Sequence, residues 1–294
     1  MPKGLNRYLF IFIFLIPMRI LANPYPISIV NGLLVSKATI EGKEVLIIFD
    51  TGAPGLVLNS RFYKPDNKTK IECEGINGSF QCSMHEVRNW NWMGIAHKKT
   101  NALLSDLTFL ENELNSDVYA LIGLSAVDNY YVSIDFDQRS ISLTDKMKVD
   151  KQSMIRFQYA DHLPVISCKV NGKKKYLGID TGSEINYLFT PHKVDADHVS
   201  TNGSFVSVVG TENRTDMKFR LTMELALNNS DVYSSPFIID LHDKGSNLND
   251  SLDGLLGQPF LSHFNITIHP SKQIIILTPR NQTENFSAIL TAQL

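Results

Sequence analysis

A short pattern that occurs twice constrains the fold more than any other feature of the chain. Ile48-Phe49 runs into Asp50-Thr51-Gly52, and Gly178-Ile179 runs into Asp180-Thr181-Gly182, 130 residues later. Apolar residues followed by Asp and Gly predict a buried strand that ends in a tight turn with the Asp at its tip. Two copies therefore predict two similar halves, each presenting one Asp at the end of a strand.

The similarity between the halves extends to both sides of this pattern. Upstream, a strand is expected to end at Glu41-Gly42 in the first half and at Asn171-Gly172 in the second, and a second strand then leads into Asp-Thr-Gly. Downstream, two apolar residues and a glycine recur at residues 121–123 and 255–257. These matched markers indicate an internal repeat and not a chance recurrence of three common residues.

Length and composition favour two modest globular domains. The chain has 294 residues, of which 43% are hydrophobic and 20% are charged, so each half can bury a small core. The repeat assigns residues 23–150 to a first domain and residues 151–294 to a second. The short apolar runs predict mainly strands, with short helices expected within residues 101–114 and 253–263.

The N-terminal residues have the pattern of a targeting segment. Lys3 and Arg7 precede an apolar run at residues 8–16. This arrangement is typical of a secretory signal peptide, here residues 1–22 with cleavage after Ala22, and predicts a secreted or periplasmic protein. An uncleaved membrane anchor is the alternative, but the uninterrupted run is shorter than the ~20 apolar residues that span a bilayer. No stable membrane span is therefore expected.

Two carboxyl groups brought together by the repeat would have a particular chemistry. Asp50 and Asp180 could not both ionise at close range, so the pair would share one proton. The charged member could take a proton from water while the neutral member polarises a carbonyl group. Such a reaction needs no cofactor and no metal ion, and the eight histidines include no H-x-x-x-H spacing for zinc. A net charge of −2 without a long basic run gives no indication of nucleic-acid binding.

The spacing of two cysteines predicts a disulfide. Asn77-Gly78 is a strong signal for a two-residue hairpin loop, and Cys73 and Cys82 lie symmetrically about it. Counting from that turn makes them directly opposed partners without mutual hydrogen bonds, whose short separation suits a disulfide. Two free thiols are the alternative. Cys168 is interpreted as a small buried hydrophobic residue.

A hairpin that covers the site is expected in each half. In the first half the candidates are Gly75, Asn77 and Gly78, which belong to the hairpin between the two cysteines. In the second half the candidate hairpin is residues 208–213, where Gly210 aligns with Gly75. These glycines are therefore candidate flap residues.

The duplicated motif and its markers resemble the Asp-Thr-Gly aspartic peptidases. The arrangement of two copies in one chain is similar to the pepsin-like bilobal enzymes. The amino-acid sequences of residues 50–55 and 253–261 are similar to those of bacterial retropepsin-type aspartyl proteases. The resemblance implies an all-β fold of two similar acid-protease β-barrel lobes related by pseudo-two-fold symmetry. It also implies an aspartic endopeptidase that acts as a monomer on peptide or protein substrates. A catalytically silent peptide-binding or scaffold protein on the same fold is the alternative.

The resemblance also implies roles for individual residues. Asp50 and Asp180 would be the catalytic pair. The two threonines would hydrogen-bond across the seam between the lobes, and the two glycines would allow a close approach of the backbone. The supporting residues are Thr51, Gly52, Thr181, Gly182 and Ser183. No tyrosine lies between Lys64 and Val118, so the flap tyrosine of pepsin-like enzymes has no counterpart. Trp90 and Trp92 could replace it or could belong to the core.

One difference between the two motifs predicts which Asp is charged. Ala53 follows the first Asp-Thr-Gly, and Ser183 follows the second. A serine hydroxyl can donate a hydrogen bond to a nearby carboxylate and favour its charged form, whereas alanine cannot. The sequence therefore predicts that Asp180 is the ionised member of the pair and Asp50 the protonated one.

Overall fold

The structure is a computed structural model that describes residues 24–66, 69–75, 78–150, 153–189, 203–209, 215–227, 231–239 and 252–280. The predicted signal peptide at residues 1–22 and the flap candidates Asn77 and Gly210 lie outside the described residues. None of the helices within these ranges has the length and apolar character needed to cross a membrane.

The fold is all-β, as predicted. The strands of the first half are β1 (Tyr25–Pro26), β2 (Ser28–Val30), β3 (Leu33–Ile40), β4 (Lys43–Phe49), β5 (Leu56–Asn59), β6 (Ile71–Gly75), β7 (Gly78–Trp92), β8 (Ile95–Ser105), β9 (Ala120–Ile122), β10 (Tyr131–Asp135) and β11 (Ser140–Thr144). Those of the second half are β12 (Met154–Arg156), β13 (Gln158–Ala160), β14 (Leu163–Val170), β15 (Lys173–Ile179), β16 (Asn186–Leu188), β17 (Gly203–Val209), β18 (Thr215–Leu227), β19 (Asp231–Ile239), β20 (Gly254–Leu256), β21 (Phe264–His269) and β22 (Ile274–Pro279). The helices are α1 (Thr108–Leu114), a 3-10 turn (Leu124–Val127) and α2 (Gln258–Leu261).

Each half contributes one eight-stranded sheet, and the two sheets have corresponding strand orders. The first has the order β2-β3-β4-β9-β5-β8-β7-β6, and β3 also pairs with β7. The second has the order β13-β14-β15-β20-β16-β19-β18-β17, and β14 also pairs with β18. In both sheets the strand that leads into Asp-Thr-Gly pairs in parallel with the strand that carries the downstream marker.

Strands from both halves form a third, six-stranded sheet with the order β1-β11-β10-β21-β22-β12. At its centre β10 pairs with β21, and Ser133 lies opposite Thr267 with their hydroxyl oxygens 2.9 Å apart. The largest apolar cluster likewise includes buried residues of both halves. The halves are therefore joined by a shared sheet and a shared core.

The predicted hairpins before the two motifs are confirmed. β3 and β4 meet at Glu41-Gly42, and β14 and β15 meet at Asn171-Gly172. All four turn residues have positive φ angles, which is the backbone of the two-residue turns that match the twist of paired strands. Neither hairpin contains a bulge next to its turn. The Asp that follows β4 and the Asp that follows β15 therefore lie at the same distance from their turns.

The short helix predicted within residues 101–114 is present and occupies only the second part of that range. Residues up to Ser105 belong to β8, where Ala102 and Leu104 are buried and alternate with more exposed neighbours. This period of two suits a strand that pairs with β5 on one side and β7 on the other. The helix itself begins at Thr108. Within residues 253–263, a buried strand similarly precedes the short helix α2.

The predicted register of the β6–β7 hairpin was wrong. Gly75 lies opposite Gly78, so Gly78 belongs to the ladder and not to the predicted Asn77-Gly78 turn. Cys73 consequently faces Phe80 and Cys82 faces Ile71, which makes the two cysteines diagonal neighbours instead of directly opposed partners. The structure has no bond between the two sulfur atoms, and burial, followed by the neighbouring Cys73, raises the pKa of Cys82 to about 12. Cys168 is buried, as expected.

Candidate active site

The two Asp residues occupy equivalent positions at the ends of parallel strand pairs. The backbone N–H of Asp50 donates to the carbonyl of Ile122 at 3.0 Å, where β4 and β9 end side by side. The N–H of Asp180 donates to the carbonyl of Leu256 at 3.0 Å, where β15 and β20 end. The last residues of β4 and of β15 are buried, and in each half the Asp is the first residue of the turn that follows.

Each carboxyl group is held by the backbone of its own turn. Asp50 Oδ1 accepts a hydrogen bond from the N–H of Gly52 at 2.7 Å, and Asp180 Oδ1 accepts one from Gly182 at 2.9 Å. An Asp that bonds the backbone two residues further on forms a compact turn in which its side chain has one orientation. The local sequence therefore fixes both carboxyl groups before any contact between the halves is considered.

The two turns meet so closely that each carboxyl group lies against the glycine of the other turn. A Cβ atom added to Gly52 would be 2.9 Å from Cγ of Asp180. A Cβ atom added to Gly182 would be only 2.5 Å from Cγ of Asp50. Any other residue at either position would therefore displace the opposite carboxyl group. Asp50 and Asp180 lie within hydrogen-bonding reach of one another.

The threonines of the two motifs connect the turns by reciprocal hydrogen bonds. The N–H of Thr51 donates to Oγ1 of Thr181 at 3.0 Å, and the N–H of Thr181 donates to Oγ1 of Thr51 at 2.9 Å. The Thr51 hydroxyl donates in turn to the carbonyl of Ile179 at 2.7 Å, and the Thr181 hydroxyl to that of Phe49 at 3.4 Å. Both threonines are buried. Losing either hydroxyl would leave buried backbone groups of the other half without a partner.

The downstream glycines lie directly behind the two turns. A Cβ atom on Gly123 would be 2.2 Å from the carbonyl oxygen of Ala53, and one on Gly257 would be 2.2 Å from that of Ile185. The N–H of Gly123 donates to the carbonyl of Gly55 at 2.7 Å, whereas the N–H of Gly257 donates to the side chain of Asn186 at 2.9 Å. The markers recognised in the sequence are thus the points where backbone packs against backbone behind each Asp.

The surroundings of the two carboxyl groups favour one proton shared by the pair. Burial raises the pKa of both groups, although each residue keeps part of its surface exposed. The negative charge of Asp50 raises the pKa of Asp180 further, to well above its usual range. The pKa of Asp50 is held down by the N–H of Gly52, by the hydrogen bond from Asp180 and by the nearby His162. The charge on one carboxyl group therefore favours the proton on the other, and the two titrate as a pair.

The hydrogen bonds of Ser183 contradict the premise from which Asp180 was predicted to be the ionised member. The Ser183 hydroxyl donates to the carbonyl of Ile185 at 2.9 Å and accepts from the N–H of Ile185 at 3.4 Å, so it does not serve the carboxyl group of Asp180. Ser183 is buried and closes the turn locally. The predicted hydrogen bond was wrong because a backbone carbonyl two residues away satisfies the hydroxyl first, and which Asp is ionised stays a prediction.

Three residues near the turns were missed by the sequence reasoning. Gln258 directly follows the second marker and donates from Nε2 to the carbonyl of Thr181 at 2.9 Å. Asn186 is fully buried and holds Gly257. His162 lies in the turn between β13 and β14 and acts on Asp50, which belongs to the other half. Only Gln258 carried a signal in the sequence, because it adjoins a marker glycine.

The described flap candidates lie at the end of a hairpin, whereas the two tryptophans considered as flap aromatics lie in the core. Gly75 and Gly78 pair at the end of the β6–β7 hairpin. Trp90 and Trp92 are buried, and Trp92 stacks on Phe49 with ring centroids 5.0 Å apart. The tryptophans are therefore core residues, and Trp92 packs on the strand that leads into Asp50.

Comparison with known proteins does not assign the chain to a family. No family model matches the sequence, and no curated protein matches it significantly. Within the described ranges, His, Cys, Asp and Glu side chains form no group of three or more that could hold a metal ion.

Proposed function

We propose that the protein is an aspartic endopeptidase that hydrolyses peptide bonds with Asp50 and Asp180. The observation that carries the proposal is the pair of Asp-Thr-Gly turns, which are joined by reciprocal threonine hydrogen bonds and have their carboxyl groups in mutual contact. Two carboxyl groups sharing one proton are what this hydrolysis requires. A scaffold protein would have no need for an arrangement that costs stability by burying acids.

We propose further that the two halves are acid-protease lobes related by a pseudo-two-fold axis. The corresponding strand orders of the two eight-stranded sheets support this arrangement. So do the pairs of equivalent residues that face one another, Thr51 with Thr181 and Ser133 with Thr267. An axis through these pairs would also pass between the two carboxyl groups and make them a single site.

The proposed mechanism assigns a different step to each acid. Ionised Asp50 takes a proton from a water molecule bound between the two carboxyl groups, and the water oxygen attacks the peptide carbonyl carbon. Protonated Asp180 donates its proton to the carbonyl oxygen, which gives a neutral tetrahedral intermediate. Asp50 then gives the proton that it took from water to the amide nitrogen, one hydroxyl group of the intermediate returns a proton to Asp180, and the C–N bond breaks to release an amine and a carboxylic acid. Because both pKa values are raised, the singly protonated pair would exist at higher pH than for two isolated aspartates.

The remaining parts of the proposal concern the cellular context. The N-terminal pattern supports a secreted or periplasmic protein that acts on peptide or protein substrates. The internal repeat supplies both acids from one chain, so a monomer would suffice. The Cys73–Cys82 disulfide stays a prediction, because the two thiols are neighbours but not directly opposed.

Cleavage of a mixed peptide library by the purified chain, with product sequencing, tests the proposed function. Asp50→Asn and Asp180→Asn should each reduce cleavage by at least about a thousandfold. A statine-type transition-state analogue should inhibit the unmodified chain, since its hydroxyl occupies the place of the attacking water. Asp231→Asn, which changes an exposed carboxyl group at the start of β19, is the matched control and should cleave normally. Binding of peptides without any turnover would favour a silent peptide-binding protein instead.

A further inference from the structure

The two sides of the candidate active site carry different residues directly beyond the Asp turns. Pro54 follows Ala53 in the first turn, whereas Glu184 follows Ser183 in the second. Glu184 keeps exposed surface while its neighbour Ser183 is buried. A carboxyl group is therefore present next to the turn of Asp180 and has no counterpart next to the turn of Asp50.

A second carboxyl group from the other half lies near Glu184. Glu113 of α1 acts electrostatically on Glu184, and burial followed by this repulsion raises the pKa of Glu184 to about 7. Asn31 donates from Nδ2 to Glu113 at 2.5 Å, and also to the Glu113 backbone carbonyl at 3.2 Å. The Asn31 amide group is therefore occupied by Glu113. In the part of the chain that the structure describes, no side chain forms an ion pair or hydrogen bond with the Glu184 carboxyl group.

An independent observation at the same place is the unsatisfied oxygen of Gln258. The Gln258 side chain is 7% exposed, and its Oε1 has no hydrogen-bond partner among the described residues. Its backbone N–H donates to the carbonyl of Ser183 at 2.8 Å, and its side chain packs against Gly32, the neighbour of Asn31. Gln258 thus lies between the segment of Glu184 and the turn that holds Glu113. An unsatisfied buried acceptor favours a donor that approaches from outside the chain.

We propose that Glu184, supported by Glu113 and Gln258, forms a substrate subsite on the Asp180 side of the cleft that selects a basic side chain. The inference rests on the proposed peptidase function and specifies its substrate class. The described residues offer only acceptors here, namely two carboxyl groups and one amide oxygen. A lysine ammonium group or an arginine guanidinium group supplies donors and a positive charge, which matches all three. A neutral or acidic side chain would leave the negative charge of the two carboxyl groups without a positive partner.

Peptide pairs that differ in one side chain provide the test. A cleavable peptide is synthesised with lysine at each position on either side of the scissile bond in turn, and each version is paired with acetyl-lysine, which has similar length but no charge. The unmodified chain should cleave the lysine version faster at one position, by at least about tenfold in kcat/KM. Glu184→Gln should reduce that ratio to about one while the acetyl-lysine peptides are cleaved as before. Glu184→Lys should reverse the preference toward a peptide with glutamate at that position.

Matched controls separate a direct effect from a structural one. Glu44→Gln removes an exposed carboxyl group near the end of β4 remote from Asp50, and should leave the lysine preference unchanged. Glu184→Asp should keep part of the preference, and Glu113→Gln should weaken it less than Glu184→Gln does. A preference for lysine that persists in Glu184→Gln would overturn the subsite while leaving the peptidase intact. No cleavage of any peptide in the set would overturn the proposed function and the subsite together.

Discussion

The turn of Asp50 and the turn of Asp180 have the same backbone structure but different chemical surroundings. In both, the carboxyl group accepts from the glycine two residues later, and the threonine bonds its counterpart across the seam. The differences begin behind the turns. Gly123 bonds a backbone carbonyl in the first half, whereas Gly257 bonds the side chain of Asn186 in the second.

The consequence of these differences is that two acids in similar turns have different electrostatic surroundings. His162 from the second half opposes the rise in the pKa of Asp50, whereas the charge of Asp50 adds to the rise in the pKa of Asp180. The short motif determines where the carboxyl groups lie, while residues distant in sequence also act on their pKa values. The two halves can therefore be distinguished by matched substitutions at equivalent positions.

The largest expected effect comes from filling the space at the two glycines. Gly182→Ala should reduce peptide cleavage by at least about a hundredfold, because its Cβ atom would be 2.5 Å from Cγ of Asp50 and would displace that carboxyl group. Gly52→Ala should be damaging but less so, since the corresponding distance to Asp180 is 2.9 Å. Steady-state kinetics on one peptide would measure both. Equal activity of the two variants would mean that the turns can move apart freely.

The second-largest effect is expected from substitution of the two threonines, which should lower the stability of the protein by different amounts. Thr51→Val and Thr181→Val each remove a buried hydroxyl, at a cost of about 1–3 kcal/mol in the free energy of unfolding. Thr51→Val should cost more, because its hydroxyl donates over 2.7 Å and that of Thr181 over 3.4 Å. Urea denaturation of both variants gives the comparison. A larger loss in Thr181→Val would contradict the asymmetry of these bonds.

The parts of the structure that could be predicted are those that depend on neighbours in sequence. Apolar alternation and the two-residue turns were sufficient for the hairpins before each Asp. The duplicated motif was sufficient to predict that Asp50 and Asp180 meet. Each of these features repeats at a matched spacing, so the two copies support one another.

The wrong predictions concern strand pairing and hydrogen bonding at places where a group has more than one possible partner. The β6–β7 turn was predicted at Asn77-Gly78, which is a strong turn signal, whereas Gly78 pairs with Gly75 in the ladder. The Ser183 hydroxyl was assigned to a carboxylate, although the carbonyl of Ile185 lies at 2.9 Å. Single-sequence patterns state what a group can bond and leave open which of several nearby acceptors it bonds.

The single-acid variants should separate the pKa values of the two carboxyl groups. In Asp180→Asn the remaining Asp50 should titrate above its usual range because it is buried, and in Asp50→Asn the remaining Asp180 should titrate higher still, since His162 opposes the rise in the pKa of Asp50. A folded-state pKa that is raised means stability that is present below the unfolded pKa and is lost as the pH rises through the folded one. Asp50→Asn should therefore lose more stability between pH 4 and neutrality, by about 1.4 kcal/mol for each unit of difference in pKa. Thermal unfolding across that range measures the loss, and identical curves would contradict the role of His162.

The smallest expected effect lies beside the acids, at Ser183 and its counterpart Ala53. Ser183→Ala removes the hydroxyl that donates to Ile185, which should cost about 0.5–1.5 kcal/mol of stability. It should not move the acidic limb of the pH–rate profile, because that hydroxyl does not reach the carboxyl group of Asp180. Ala53→Ser should also leave the limb unchanged, since the Asp50 carboxyl group already accepts from Gly52 and from Asp180. A shift of the limb to higher pH in Ser183→Ala would mean that the hydroxyl turns toward Asp180 when substrate is bound. In that case the protonation of the pair would be set by the bound state and not by the surroundings of the free site.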